Sequence, residues 1–204
     1  MGLAQPVQRL TAKEYLALER AAEFKSEFYD GEVYAMAGGS PMHSLIGTNA
    51  TIEIGNKLRG RPCRPFNSDL RVRPPGIPFY TYPDVSVVCG PLEFDDEQED
   101  TITNPSLLVE VTSPATEGYD RGAKFHLYSR MASLREYLVI SQSEPSLDLF
   151  IRQDSNEWLL RSASGIDSSL ILPMLGVTLS LKEIYAGVTF PPPKLIDPNQ
   201  PNRR

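Results

Sequence analysis

Leu107-Leu-Val-Glu-Val-Thr-Ser-Pro114 is the stretch of sequence that decides the fold. Apart from its glutamate, the run Leu107–Val111 is apolar and rich in β-branched residues, as is typical of a central strand that is buried on both faces. A helical pattern follows from Ser113-Pro114 to about Met131, and Tyr137–Ile140 is predicted to be the next strand. A strand, a helix and a strand in this order form a crossover unit, which favours parallel pairing of the two strands.

Further elements extend this unit on both sides. In chain order they are a helix from the capping box Thr11–Glu14 to about Ala22, a hairpin turning at Asp30-Gly31, a helix capped by Ser40 with Pro41 at its first position, a half-exposed strand at Leu70–Arg73, a buried strand at Val85–Val88, and a hairpin of Leu147–Ile151 with Trp158–Arg161. The pattern predicts a mixed α/β (α+β) fold, in which helices flank a central sheet and antiparallel hairpins lie at its edges.

Length and composition favour one folded unit. The 204 residues are 41% apolar, which is enough for one sizeable core, so we expect a single domain over residues 1–190 and a proline-rich tail over residues 191–204. No apolar run approaches the roughly 18 residues of a membrane span, and the first ten residues lack the apolar core of a secretory signal. We therefore expect a cytoplasmic protein that does not bind membranes.

The cysteines and histidines are too few for a zinc site. Cys63 and Cys89 lack the paired spacing of metal ligands, and two cysteines cannot form a disulfide scaffold, so we expect buried or idle thiols. The chain has only two histidines as well. Any bound metal should therefore be held by oxygen ligands.

The distribution of charge differs sharply along the chain. The stretch Leu92–Asp100 contains six acidic residues, which alone account for the net charge of −6, and it is predicted to be a solvated loop. Five arginines fall instead within fifteen positions that contain one acid, Asp69. These are either phosphate contacts or an ordinary solvated surface, and they are Arg59, Arg61, Arg64, Arg71 and Arg73.

Two acids mark the candidate site. Asp84 enters the Val85 strand, and Glu110 interrupts an apolar strand, where a carboxylate is costly unless a cation or hydrogen-bond donors compensate it. One oxygen from each of two neighbouring strands, together with a strand carbonyl, can bind magnesium and leave positions for water and phosphate. The alternative is structural: Asp84 caps a turn, and Glu110 pairs with a buried arginine.

These residues resemble a known superfamily. Pro83-Asp84 and Glu110-Val111-Thr112 resemble the signature of the PD-(D/E)XK phosphodiesterases, although Thr112 stands where that signature has a lysine. The wider set of motifs, from about Thr11 to Tyr185, is similar to one bacterial branch with a restriction-endonuclease-like fold, the Uma family. The motifs are Glu27-Phe-Tyr-Asp-Gly-Glu32, Ser40-Pro-Met-His43, Tyr82-Pro-Asp84, Leu108-Val-Glu-Val-Thr-Ser-Pro114 and Asp120-Arg-Gly-Ala-Lys124.

The resemblance implies a metal-dependent endonuclease acting on nucleic acid, and we expect that nucleic acid to be DNA. Asp84, Glu110 and the Val111 carbonyl would hold Mg²⁺ or Mn²⁺, and Lys124, on the following helix, would take the place of the missing lysine. By analogy with restriction enzymes, the acting form would be a homodimer. The alternative function is a non-catalytic nucleic-acid-binding or assembly module that keeps the fold.

The roles of three residues remain open between a functional and a structural interpretation. Lys124 either acts at the site, positioned by Asp120 four residues before it, or forms an ordinary exposed ion pair. Glu27 is either a further metal ligand or a surface strand residue. His43 either contacts the site or serves as a structural group at a helix N-terminus.

Overall fold

The computed structural model describes residues 9–36 and 38–190. The elements in chain order are α1 (Ala12–Ala21), β1 (Ser26–Tyr29), β2 (Glu32–Ala35), α2 (Pro41–Leu58), β3 (Cys63–Asn67), β4 (Arg71–Val72), β5 (Phe79–Tyr80), β6 (Val85–Cys89), β7 (Thr101–Ile102), β8 (Leu107–Thr112), α3 (Glu117–Tyr119), the π-helical turn π1 (Asp120–Lys124), α4 (Phe125–Tyr128), β9 (Glu136–Ser141), β10 (Ser146–Arg152), β11 (Trp158–Ser164), β12 (Ser169–Leu172), β13 (Val177–Ser180) and α5 (Leu181–Ile184).

A mixed six-stranded sheet organises the fold, with strand order β11-β10-β9-β8-β6-β3. β8 and β9 pair in parallel, from Leu107 opposite Glu136 to Thr112 opposite Ser141, and the other neighbouring strands of this sheet pair antiparallel. The β10–β11 hairpin lies at one edge. The predicted mixed sheet, its parallel crossover and its edge hairpin are all confirmed.

The two faces of the sheet carry separate cores. Alternate residues of β8, such as Val109 and Val111, pack against Ile46 and Ile54 of α2 on one face. On the other face, Leu108 packs in a second cluster with residues of α4 and the loop that follows it. Because successive strand residues point to opposite faces, Glu110 shares the face of Leu108 and points toward the crossover segment.

The N-terminal elements follow their sequence signals closely. Thr11 and Glu14 form the predicted capping box of α1, and Ser40 caps α2 with Pro41 at its first position. Asp30 and Gly31 have φ values of 47° and 91°, which is the left-handed geometry that a two-residue hairpin turn between β1 and β2 requires. The β1–β2 hairpin joins β5 in a three-stranded sheet beside the main one.

The crossover helix differs from its prediction. Instead of one helix from Ser113-Pro114 to Met131, the chain forms α3, π1 and α4, and the helical part ends at Tyr128. Residues 113–116 form a turn in which Ser113 O accepts the amide of Glu117 at 2.9 Å. Two glycines within the segment lower its helix propensity, and π turns inserted in helices commonly occur at functional sites.

Two other local predictions were wrong. The strand predicted at Leu70–Arg73 is only the two-residue β4, and Arg71 is buried instead of half-exposed, because β4 pairs with β7. Cys63 and Cys89 are joined by a disulfide instead of remaining thiols. They are direct neighbours on β3 and β6, a proximity that their separation of 26 residues does not reveal.

The acidic stretch Leu92–Asp100 is also more than a solvated loop. Asp96 and Asp100 form ion pairs with Arg20, and Asp95 pairs with Arg73, so the stretch is tied to α1 and to the chain after β4. The predicted tail, residues 191–204, and most of the N-terminal ten residues lie outside the described part of the chain. Within residues 9–36 and 38–190, no helix has the length and apolar character needed to cross a membrane.

Candidate active site

One cavity of about 520 Å³ brings together the residues that the sequence predicted for the site. They come from β1, α2, the residue before β6, β8 and the π turn of the crossover. The predicted residues that line it are Glu27, His43, Asp84, Glu110, Val111, Asp120 and Lys124.

The two acids lie side by side because of the strand register. Val85 of β6 pairs with Val109 of β8 in antiparallel fashion, so the residue before Val85 lies next to the residue after Val109. Asp84 Oδ2 accepts a hydrogen bond from the Val111 amide at 2.7 Å, which fixes the carboxylate against β8. Asp84 therefore does not cap a turn, and its side chain keeps 18% exposure to the cavity.

Lys124 is the central cation of this cavity. Its Nζ lies 2.9 Å from Glu27 Oε1, 2.9 Å from Glu110 Oε1 and 3.8 Å from Asp120 Oδ1, and its side chain is only 6% exposed. Burial alone lowers the pKa of this lysine, but the carboxylates of Glu110, Glu27 and Asp120 outweigh burial and raise it. The interpretation of Lys124 as an exposed surface ion pair is wrong.

Glu110 is compensated by a lysine and not by the arginine of the structural alternative. Its side chain is 7% exposed, and burial raises its pKa to about 8 against the opposing effect of the Lys124 ammonium. Tyr128 donates a hydrogen bond from its hydroxyl to Glu110 Oε1 at 2.8 Å. The glutamate is thus held by two donors in a position where water has little access.

Glu27 and Asp120 complete the ring of acids around Lys124. Glu27 belongs to β1 and has 13% side-chain exposure, so it is a cavity residue and not a surface strand residue. Its Oε1 also accepts a hydrogen bond from the Thr81 hydroxyl. Asp120 is buried, and burial is the main cause of its raised pKa.

His43 fits both interpretations that the sequence left open. Its amide donates to Ser40 Oγ at 3.1 Å as part of the α2 cap, and its ring reaches the cavity, with Nε2 3.4 Å from Asp84 Oδ2. The contact with Asp84 is the main cause of a raised pKa of His43, and a hydrogen bond to the Val111 backbone contributes as well. The His43 ring therefore contacts Asp84 from the N-terminal turn of α2.

Sequence reasoning missed two polar residues of the site. The Tyr128 hydroxyl contacts Glu110, and the available signal was its spacing of four residues from Lys124 on a helical segment. Thr81, which contacts Glu27, gave no sequence signal because β1 and Thr81 meet only through tertiary pairing beside β5.

The five arginines do not form one phosphate-binding strip. Arg71 is buried and pairs with Asp100 at 2.8 Å, and Arg73 pairs with Asp95, so both are engaged inside the protein. Arg61 donates to Leu175 O at 2.6 Å. Arg59 and Arg64 are exposed, and a phosphate-contacting role for them stays a prediction.

Comparisons with known proteins agree with this architecture. Residues 12–182 match the sequence model of the Uma2 family, which carries the description "Putative restriction endonuclease". Two proteins of Synechocystis sp. (strain ATCC 27184 / PCC 6803 / Kazusa) are relatives. "Uncharacterized protein slr1290" is 40% identical and covers 91% of this chain and 96% of its own length. "Uncharacterized protein sll1609" is 34% identical, and the match covers 79% of this chain and 91% of that protein.

A solved structure shares the fold. The crystal structure of a "putative nuclease belonging to DUF820" from Anabaena variabilis ATCC 29413 superposes with a TM-score of 0.68 at 20% sequence identity. The match covers 86% of this chain and 97% of that chain. The predicted fold class is confirmed.

Proposed function

Since this chain belongs to the Uma2 family, we propose that it is a metal-dependent endonuclease that hydrolyses phosphodiester bonds in DNA. The observation that carries the proposal is the convergence of Asp84, Glu110 and Lys124 in one cavity. These side chains come from separate elements, and a buried cation held by several carboxylates is costly to assemble for structural reasons alone.

The donor atoms fit a divalent cation that prefers oxygen. Mg²⁺ and Mn²⁺ take carboxylate and carbonyl oxygens, and Mg²⁺ commonly uses one or two carboxylates with water and phosphate completing its shell. The described residues contain no group of three or more His, Cys, Asp or Glu side chains placed to hold a metal ion. Two carboxylates and one carbonyl agree with this finding, so we assign the cation to Asp84, Glu110 and the Val111 carbonyl oxygen, while Glu27 contacts Lys124 and Thr81 instead.

The chain's own groups have distinct roles in this proposal. A bound divalent cation supplies positive charge that polarises the scissile phosphate. The Lys124 ammonium donates hydrogen bonds to the phosphoryl oxygens and stabilises the charge that develops there. The Val111 amide and His43 hold Asp84 in place, and the Tyr128 hydroxyl fixes the orientation of Glu110.

Plasmid nicking tests the proposal. Supercoiled plasmid incubated with the protein and Mn²⁺ should be nicked, and Asp84→Asn, Glu110→Gln and Lys124→Met should each lower the rate by about a hundredfold or more. Glu53→Gln and Lys57→Met are matched controls, because these residues form an i, i+4 ion pair on α2, away from the site acids. Nicking that persists in all three site variants would contradict the assignment.

One observation favours a second candidate, a non-catalytic nucleic-acid-binding or assembly module. Lys124 contacts both Glu27 and Glu110 without any metal, so the ammonium can hold these acids together as a purely structural network. Thermal melting separates the two functions, because a ligand that binds only the folded state raises the melting temperature. The endonuclease proposal predicts that Mn²⁺ raises the melting temperature of the wild type but not of Asp84→Asn, whereas the alternative predicts no response in either.

A further inference from the structure

A second cavity, of about 440 Å³, lies beside the active site and is walled by three tyrosines. These tyrosines have large, mostly apolar rings and are nevertheless exposed to solvent. The exposed fractions are 42% for Tyr29, 48% for Tyr34 and 41% for Tyr119. Ala123 and Leu127 form the apolar floor between them. We call this space the tyrosine pocket.

The fold places these rings on two opposing walls. Glu27 and Tyr29 are two residues apart on β1 and share one face, and Tyr34 of β2 lies directly opposite Glu27 in the hairpin register. Tyr119 stands on the crossover segment, on the other side of the cavity. The pocket is therefore a slot between the hairpin and the crossover segment.

The tyrosine pocket adjoins the active site. Glu27, Tyr34 and Tyr119 line both cavities. The Tyr119 hydroxyl donates to Glu27 Oε2 at 3.4 Å, and Lys124 Nζ lies 5.8 Å from the centre of the Tyr119 ring. The slot thus adjoins the space around Lys124, and the Tyr119–Glu27 contact lies between the two cavities.

The chemistry of the slot matches a flat aromatic ligand. Exposed aromatic rings beside a phosphate-binding cation are the arrangement by which proteins stack unpaired bases next to a held backbone. A base inside a duplex is already stacked and cannot enter such a slot unless it is unpaired first. A site with carboxylates and an ammonium but no aromatic rings would contact only the sugar-phosphate backbone of a nucleic acid.

We propose that the tyrosine pocket binds an unpaired nucleobase of the substrate while the adjoining phosphate lies at Lys124. The inference rests on the proposed endonuclease function and narrows its substrate to single-stranded or locally unpaired DNA. The tyrosine rings supply stacking, which tolerates any base, so the pocket selects for an unpaired strand and not for a sequence.

Binding of two labelled oligonucleotides tests this inference separately from cleavage. One is a single-stranded oligothymidylate, and the other has the same length and phosphate charge but abasic sugars. With Ca²⁺ present, fluorescence anisotropy should show binding of the base-containing strand at least about tenfold tighter. Tyr34→Ala should reduce that preference by about tenfold, whereas Tyr34→Phe, which keeps the ring, should retain it. Leu160→Ala, at an equally exposed position on β11, is the control and should change nothing.

The outcomes separate the two proposals. Equal affinity for the two strands, no binding of either, or an unchanged preference in Tyr34→Ala would overturn the base pocket, even if plasmid nicking is observed. If Tyr34→Ala instead alters only the mass measured by sedimentation, the slot contacts a second copy of the chain and the inference is wrong. A clear base preference, with no cleavage of either plasmid or single-stranded DNA by the wild type, supports base binding and removes the endonuclease proposal.

Discussion

Two buried glutamates on neighbouring strands show how differently one fold treats the same side chain. Glu110 lies toward the end of β8, where it contacts the Lys124 ammonium and the Tyr128 hydroxyl. Glu136 begins β9, at the opposite end of the same parallel pair, and is fully buried. Its Oε1 accepts the Met174 amide at 2.8 Å, and within the described part of the chain its Oε2 has no hydrogen-bond partner.

The contrast separates an acid of the candidate active site, Glu110, from a buried acid outside it, Glu136. Burial raises the pKa of both acids, to about 8 for Glu110 and about 7 for Glu136, so a shifted pKa does not by itself distinguish them. Only Glu110 is surrounded by a cation, further acids and an open cavity. The difference teaches that the partners of a buried charge, and access to it, identify the functional acid.

The largest effect on the free energy of unfolding should come from removing the Lys124 ammonium, which contacts Glu110. Lys124→Met leaves buried Glu27, Glu110 and Asp120 without their shared ammonium, which should lower the free energy of unfolding by about 3–5 kcal/mol at pH 8. At pH 5 the loss should be smaller, because Asp120, whose pKa is raised by burial, can then take up a proton. Urea denaturation at the two pH values measures both quantities.

A double variant provides the control for that prediction. Lys124→Met combined with Glu110→Gln removes one of the uncompensated acids and should recover part of the lost stability. If Lys124→Met costs less than about 1 kcal/mol at pH 8, the ammonium is not compensating the acids, and the contrast with Glu136 disappears.

A smaller effect of opposite sign is expected at Glu136. Its folded-state pKa of about 7 lies above its ordinary value of 4.5, so the folded state holds the proton more tightly and its stability falls as pH rises between these values. Glu136→Gln does not ionise and should be about 1–2 kcal/mol more stable than the wild type at pH 8, since an unpaired amide offsets part of the gain. Near pH 4.5 the two proteins should unfold at similar urea concentrations. A variant that is less stable than the wild type at pH 8 would show that the Glu136 carboxylate has compensation that this structure does not include.

The smallest expected effect on stability distinguishes the two partners of Glu110, Lys124 and Tyr128. Tyr128→Phe removes one hydroxyl donor but leaves Lys124 against Glu110, so it should cost about 1 kcal/mol of stability. Thermal or urea unfolding of the variant measures this loss. A cost as large as that of Lys124→Met would mean that the tyrosine, and not the lysine, is the main partner of Glu110.

Local patterns in the sequence predicted most of the fold. The α1 capping box, the Asp30-Gly31 turn and the crossover of β8 to β9 each depend on neighbouring residues, and each is present in the structure. The Cys63–Cys89 disulfide and the ion pairs of Arg71 and Arg73 join segments distant in sequence. Such contacts depend on strand pairing that no local pattern specifies.

The acids of the candidate site could be predicted from the sequence, but the contacts between its side chains could not. Asp84 and Glu110 stand out because acids interrupt or enter apolar strands, and the family resemblance indicated Lys124. Lys124 bridges Glu27 and Glu110 from a π turn, at a position where the sequence pattern predicts a regular helix. The hydroxyl contacts of Tyr128 and Thr81 likewise required the tertiary structure.

Anomalous scattering from manganese-soaked crystals tests the central claim most directly. The account predicts a peak within coordination distance of Asp84, Glu110 and the Val111 carbonyl oxygen, with the Lys124 ammonium moved away from Glu110. It also predicts that crystals of Asp84→Asn lose the peak. The absence of a peak in wild-type crystals, with Lys124 still bridging Glu27 and Glu110, would contradict it.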